Sequence, residues 1–282
     1  MSRCARLILI FVLASLGACA NHIAGPAPAS PTPSPAAALP DAALFIKRMA
    51  TQDGSQDSTA EMRLVVERED GHRDQLDFRL QRKYTPEQTA TLLTVTAPRE
   101  ESEKALLAFE RPDQATDALS YLAGLKRLTH LNSSSLLDFR GAKVSVQELL
   151  GLELNQYHHT PAERADGGEA GLVKIEFTEK FDRHLAFPRL TGFFRESDQT
   201  PARFELYNSR GQLAKTIQIA EVKELQGHHT ITRVVIEDPS KNLKMTLDTL
   251  RMKYDQGLPD AIFTEGHLIK SVTEASRKLI QS

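Results

Sequence analysis

From residue 60 onward the chain alternates. Ala60, Met62, Leu64 and Val66 are interleaved with Glu61, Arg63, Val65 and Glu67, and Leu76, Phe78 and Leu80 with Asp77, Arg79 and Gln81. A period of two sends successive side chains to opposite faces, so both stretches read as half-buried strands. Between them lies Glu69-Asp70-Gly71-His72, whose Asp-Gly pair suits the positive φ of a hairpin turn. The same reading predicts strands over 89–96, 104–110, 117–122, 154–159, 171–178, 190–196, 202–208, 212–223, 228–237 and 242–254. Asn208-Ser209-Arg210-Gly211 and Asp238-Pro239-Ser240 mark tight connections. Helical spacing is rare. Asp41 can cap a first helix to Met49, with Leu44, Phe45 and Arg48 at helical intervals. A short helix over Val146–Leu152 has Ser145 as cap and Glu148 in place for a capping box.

The last strand changes phase. Leu243, Met245 and Leu247 are odd-numbered, whereas Leu250, Met252 and Tyr254 are even-numbered. A bulge near Thr249 produces such a shift and bends the strand. The fold class is therefore mainly β (α+β): a strongly curved antiparallel half-barrel sheet with a few covering helices. So few helices fill a concave apolar face only in part, which is how a ligand cavity arises in barrel-like β proteins. The strand phases put Met62, Leu64, Leu76, Phe78, Leu80, Leu93, Val95, Leu243, Met245 and Leu247 on that face as the candidate cavity lining.

The first forty residues obey other rules. Arg3 and Arg6 precede an apolar run, Leu7–Leu16, too short for a permanent membrane span. Leu16-Gly17-Ala18-Cys19 then resembles a bacterial lipobox, in which the signal (residues 1–18) is removed and the thiol of Cys19 carries diacylglycerol. Ala20 at the following position resembles an outer-membrane address in Gram-negative bacteria. Each buried acyl methylene adds about 0.8 kcal/mol to such an anchor. Residues 19–40 continue as a Pro/Ala/Ser tether that buries little, extended at about 3.1 Å per residue and reaching on the order of 50 Å. Residues 41–282 are expected to form one domain. The chain has two cysteines, and Cys4 falls in the signal, which leaves no disulfide or thiolate cluster to expect.

Charge and chemistry narrow the classes further. A net charge of −2 from 35 basic and 37 acidic residues argues against a nucleic-acid surface. The His158-His159 and His228-His229 pairs fall on predicted strands, where neighbours face opposite sides, so neither pair converges on a metal by itself. Ser133-Ser134-Ser135 has no Gly-x-Ser-x-Gly setting, and there is no His-Glu-x-x-His or phosphate loop. The absence of Trp makes a carbohydrate-stacking platform a poor fit. The expectation is a non-enzyme with no cofactor and no metal.

Three stretches in order carry a family resemblance. Residues 118–150, "ALSYLAGLKRLTHLNSSSLLDFRGAKVSVQELL", resemble the central block of periplasmic outer-membrane lipoprotein-sorting-like proteins of the LolA/LolB fold. Tyr121, Leu122, Lys126 and Arg127 match its strand end and basic turn; Phe139, Gly141, Ser145, Glu148 and Leu149 match its following segment. "LYNSRGQLAKTI" (206–217) resembles the family's "Y-D-x-x-G-x-L-x-K", and "LPDAIFTEGHL" (258–268) its closing strand. Ala142-Lys143-Val144 and Val146 depart from the Ser-Asp-Phe and Tyr of the motif. The resemblance spans about 41–270. It implies a half-closed sheet around a helix-containing lid, with a hydrophobic cavity for lipid or lipoprotein acyl chains. It also implies a link to an RND/MMPL-type exporter or a periplasmic carrier.

Two functions follow from different classes. One is an acceptor of lipid or lipoprotein at the periplasmic face of the outer membrane, anchored through Cys19. The other is a structural or regulatory lipoprotein that binds a protein partner and has a fully packed interior. An envelope hydrolase rests only on scattered His and Ser residues. Extractable lipid separates the first two.

Overall fold

A hairpin begins the sheet because both halves of 57–84 have the same period and the turn has the right chemistry. Gly71 takes φ +80°, and the Asp70 carboxylate accepts the backbone N–H of His72 at 2.9 Å. The same device recurs at 208–211, where Gly211 has φ +75° and the Asn208 side chain accepts the amides of Arg210 and Gln212. The computed structural model describes residues 39–50, 54–111, 114–139, 141–152, 154–165, 170–180 and 185–280. The signal, Cys19 and the tether to residue 38 lie outside the described residues.

In chain order the elements are α1 (Ala42–Ala50), β1 (Asp57–Glu67), β2 (Arg73–Tyr84), β3 (Thr89–Ala97), β4 (Lys104–Glu110), β5 (Asp117–Leu122) and β6 (Arg127–Leu131). Then come β7 (Leu136–Phe139), β8 (Ala142–Ser145), α2 (Val146–Leu150), β9 (Tyr157–His159), β10 (Glu163–Arg164), β11 (Leu172–Glu179) and β12 (Arg189–Arg195). The chain continues through β13 (Pro201–Tyr207), β14 (Leu213–Leu225), β15 (His228–Asp238), β16 (Leu243–Tyr254) and α3 (Glu265–Ile280). One 14-stranded sheet runs β10-β11-β12-β13-β14-β15-β16-β1-β2-β3-β4-β5-β6, with β9 added beside β11. Neighbours are antiparallel throughout, and β16 pairs with β1 in the middle of the sheet. The two ends of the chain's sheet region thus meet at its centre, and β10 and β6 form open edges. β7 and β8 form a separate hairpin.

The phase change in the last strand is a bulge. Glu61 faces Arg251 and Met62 faces Thr249, so Leu250 is the extra residue. It is exposed, whereas Tyr254 returns to the interior.

Two apolar layers lie on opposite faces of the sheet. The large one gathers the concave positions from β11 round to β5 together with α1, β7, β8 and α2. The small one joins Ala90, Leu92, Ala105, Leu107 and Tyr121 to Phe263, Leu268 and Val272 of the C-terminal segment. This explains the unbroken apolar runs in β3 and β4: Leu92 and Leu107 face α3, while Leu93 and Leu106 face inward.

Several expectations need correction. The strand expected over 154–159 starts as a single helical turn, Leu154–Gln156, and only 157–159 pair with the sheet. The segment 258–268, matched to a closing strand, is a turn leading into α3, with Phe263 pinned beneath it. The motif residue Tyr121, at the end of β5, packs in the convex layer.

Candidate functional site

The ten residues assigned to one face by strand phase do share it. Cross-strand pairs put Met62 opposite Phe78, Leu64 opposite Leu76 and Leu80 opposite Leu93. On the other side Leu64 meets Leu247 and Val66 meets Met245. Most of them are core. Leu64, Leu76, Phe78, Leu80, Leu93, Val95, Leu243 and Met245 are buried, while Met62 and Leu247 are only partly so. The concave face is therefore filled over most of its area, where partial filling was expected.

The filler is the segment 132–156, which closes over the sheet as a plug. Phe139, Ala142, Val144, Val146, Leu150 and Leu154 insert their side chains into the concave layer. The capping box of α2 is complete: Ser145 Oγ accepts from Glu148 N–H at 3.2 Å, and Glu148 accepts from Ser145 N–H at 2.8 Å. Glu148 also receives Lys215 Nζ of β14, an ion pair with side-chain exposures of 1% and 7%. Lys215 Nζ further donates to the Lys143 carbonyl at 3.3 Å. On the opposite flank Arg82 Nη2 donates to the Leu150 carbonyl, and Lys104 Nζ to the Asp138 carbonyl. Below α2, Gln147 Nε2 donates to Tyr157 Oη at 2.7 Å, and Tyr157 Oη to the Phe187 carbonyl at 2.8 Å. Burial pushes the Tyr157 hydroxyl well above its usual titration range. The polar ties reach β2 and β4 on one side and β9 and β14 on the other.

The motif residues divide by role. Phe139 is a core contact, and Gly141 supplies φ +85° beside Arg68. Lys126 takes φ +49° in the turn before β6, and Arg127 is exposed. Of the histidines, His158 and His159 lie on β9, while His228 stacks on Tyr254 with ring centres 4.3 Å apart. No three His, Cys, Asp or Glu side chains among the described residues could hold a metal ion.

Filling is incomplete at one end. Val222, Ile231, Leu247, Met252 and Met62 are half-buried and pack against the edge of the concave layer. They cluster where β14, β15, β16 and β1 run toward the Gln226-Gly227 turn and the start of β1. At the other end of the same strands an open cleft of about 490 Å³ is lined by Arg68, Glu69, Asp70, Gly141, Lys241 and Leu243. Its two cations are already paired, Arg68 with Asp74 and Lys241 with Asp238. The half-buried apolar end is the better candidate for an amphiphile. Sequence reading matched Lys215 only as the closing Lys of the 206–217 motif, without its buried partner, and missed Arg82. A signal for Arg82 existed, since it continues the phase of Leu76, Phe78 and Leu80.

The comparisons agree with this geometry. Three solved structures share the fold. A DUF1329 family protein from Desulfovibrio piger has TM-score 0.72 at 21% identity, covering 79% of this chain and 96% of that one. A domain named for outer membrane lipoprotein sorting, from Vibrio parahaemolyticus, has TM-score 0.71 at 18% identity, covering 80% and 97%. A LolA superfamily protein from Nitrosomonas europaea has TM-score 0.66 at 20% identity, covering 81% and 99%. No curated protein matches the chain in sequence. Residues 87–270, from the start of β3 into α3, match the model of a family described as "Uncharacterized protein"-like. The chain belongs to that family, and it has the fold of the LolA-superfamily, outer-membrane lipoprotein-sorting-like proteins.

Proposed function

We propose that this protein binds lipid or lipoprotein acyl chains on the concave face of its sheet and passes them on within the cell envelope. One observation carries the reading: a continuous apolar face is covered by a plug but left half-buried at Met62, Val222, Ile231, Leu247 and Met252. A patch of that kind is a thermodynamic cost in a protein with no apolar partner, and an entry point in one that has such a partner. The solved domain named for lipoprotein sorting supports the same reading. Cys19 and the tether then hold the domain at the periplasmic face of the outer membrane, where a periplasmic carrier or an RND/MMPL-type exporter delivers cargo. No helix among the described residues is long and apolar enough to cross a membrane, and the Cys19 lipid is the proposed anchor.

The test is lipid extraction and mass spectrometry of the protein purified from a Gram-negative cell envelope. Stoichiometric acyl lipid is expected, and Met252→Glu should abolish it while the protein stays folded. A lipid-free wild type that also takes up no added fatty acid would return the protein to the partner-binding class. Cys19→Ser should block incorporation of labelled palmitate and release the protein from the outer membrane; unchanged labelling refutes the anchor.

A further inference from the structure

The phase that puts Leu76, Phe78 and Leu80 on the concave face runs one step further, to Arg82. Arg82 sits opposite Thr91 of β3, with Ser58 beside it on β1. Ala108 of β4 lies beyond Thr91. A guanidinium thus projects from an apolar sheet face among small neighbours. It has five N–H donors in a fixed fork and no acceptor. One donor goes to the Leu150 carbonyl. No carboxylate among the described residues pairs with Arg82, and its Nε is buried with no partner. Thr91 Oγ1 is likewise unpartnered, on a residue with 0% exposure. Directly facing residues have Cβ atoms about 4.5–5.5 Å apart, so one small group can touch both.

Two unsatisfied donors at neighbouring positions of an otherwise apolar face are costly unless something occupies them. A guanidinium fork and a hydroxyl match an oxyanion, which the fork binds bidentately. Met62, in the half-buried patch, lies four residues along β1 from Ser58, roughly 13 Å on the same face. That spacing suits a charged head at Arg82 and an alkyl chain running to the patch. Glu110 is one pair nearer the strand end, opposite Thr89, and holds contacts of its own. It disfavours an anion further out and so leaves the Arg82–Thr91 pair as the seat.

We propose that Arg82 and Thr91 seat the anionic head, carboxylate or phosphate, of the amphiphile whose chain lies on the concave face. This rests on the lipid-binding reading and names its ligand class as anionic. The test titrates the full chain with dansylaminoundecanoic acid and with its methyl ester, which share a chain and a fluorophore but differ in charge. The acid should bind on the order of ten-fold tighter, as charge-assisted hydrogen bonds allow. Arg82→Gln should bring the acid-to-ester ratio to near unity. Thr91→Val removes a hydroxyl with no protein partner, so it should melt no lower than wild type yet reduce the ratio several-fold. Equal affinity for acid and ester in the wild type, or a ratio unmoved in both variants, overturns the anionic seat alone. Displacement of the acid by millimolar inorganic phosphate assigns the pair to a free oxyanion and overturns the amphiphile. If neither probe binds, the lipid-binding reading falls, and this inference with it.

Discussion

Gly192 offers a test of how tightly the concave layer is packed. It lies in the middle of β12, opposite Ile175 of β11 and Phe204 of β13. A glycine in a strand interior ordinarily weakens it, and Gly→Ala in a compatible conformation gains about 0.4–1 kcal/mol through the unfolded chain. Here a Cβ would meet Phe194 Cε2 at 2.8 Å, Phe204 Cε1 at 2.9 Å and Phe177 Cε2 at 3.1 Å. Carbon contacts are comfortable at about 3.5–4.0 Å, so three rings must each retreat by about half an ångström or more. None is free to do so. Phe194 is wedged between Phe45 of α1, with centroids 5.4 Å apart, and Phe204 at 5.7 Å. All three rings are buried. Overpacking of this kind costs about 1–3 kcal/mol, which exceeds the backbone gain. Gly192→Ala should therefore destabilise by about 1–2 kcal/mol net, measured by urea unfolding with an unchanged m-value. Gly266→Ala, at the second position of α3 with nothing within 4 Å of the added carbon, should instead stabilise by up to about 1 kcal/mol. Phe204→Leu should cost less in the Gly192→Ala background than alone, because the smaller side chain yields the space. A Gly192→Ala protein as stable as wild type would refute the packing argument.

Other perturbations separate core, plug and surface. Lys215→Ala strands Glu148 beneath the plug and should cost about 3–5 kcal/mol, with part recovered in Lys215→Met/Glu148→Gln; a thermal midpoint within a degree of wild type would show the pair to be solvated. Phe78→Ala should cost about 3–5 kcal/mol and Met62→Ala less than half of that, since only Phe78 is fully enclosed; equal costs in denaturant titrations would deny that the face opens at Met62. Hydrogen bonds from Arg63 at 2.8 and 2.9 Å hold the Asp77 carboxyl below its ordinary 3.8. A depressed folded-state pKa adds stability that is complete above the unfolded value and is lost as pH falls through the folded one. Stability curves of wild type and Asp77→Asn should therefore run apart at neutral pH and converge below pH 3.8; a constant gap down to acid unfolding would contradict this.

Strand phase made the sheet legible, because period two is a local signal and its consequence, a shared face, is geometric. It located β1 to β5 and β11 to β16 and even the Leu250 bulge, which needs only an odd-to-even switch in the apolar positions. Hairpin turns were readable from Asp70-Gly71 and Asn208 to Gly211, where side-chain acceptors and a positive φ coincide. What failed was long-range or two-sided. β6 and the β7–β8 hairpin are short, and their burial pattern depends on what lies beneath them. α3 was overlooked because its inner stripe, Leu268, Ile269 and Val272, is narrow and follows a turn that reads as an ending. Lys215 looks like one more solvated strand cation until β14 is seen to face Glu148. The filling of the concave face was the least legible feature: helix content is low, but the cover is an irregular segment whose apolar residues, Phe139 to Leu154, have no single period.

The two apolar layers predict a separation of effects. β3 and β4 are held from the convex side by Leu268 and Val272, which are fully buried against Leu92 and Leu107. No concave residue takes part in that layer, so an occupant of the concave face leaves it unchanged. A ligand that binds only the folded state adds RT ln(1 + [L]/Kd) to its stability, about 2.7 kcal/mol at a hundred times Kd. Leu268→Ala should cost about 2–5 kcal/mol by the same amount with and without saturating fatty acid, because distant sites add. Met252→Glu should behave in the opposite way. Its residue is half-buried at the open end of the face, so its cost without ligand is small, and the stabilisation by ligand disappears. The measurement is paired thermal melts of both variants and wild type, with and without the dansylated acid. If ligand stabilisation vanishes in Leu268→Ala and survives in Met252→Glu, the binding face is the convex one, and the lipid belongs under α3.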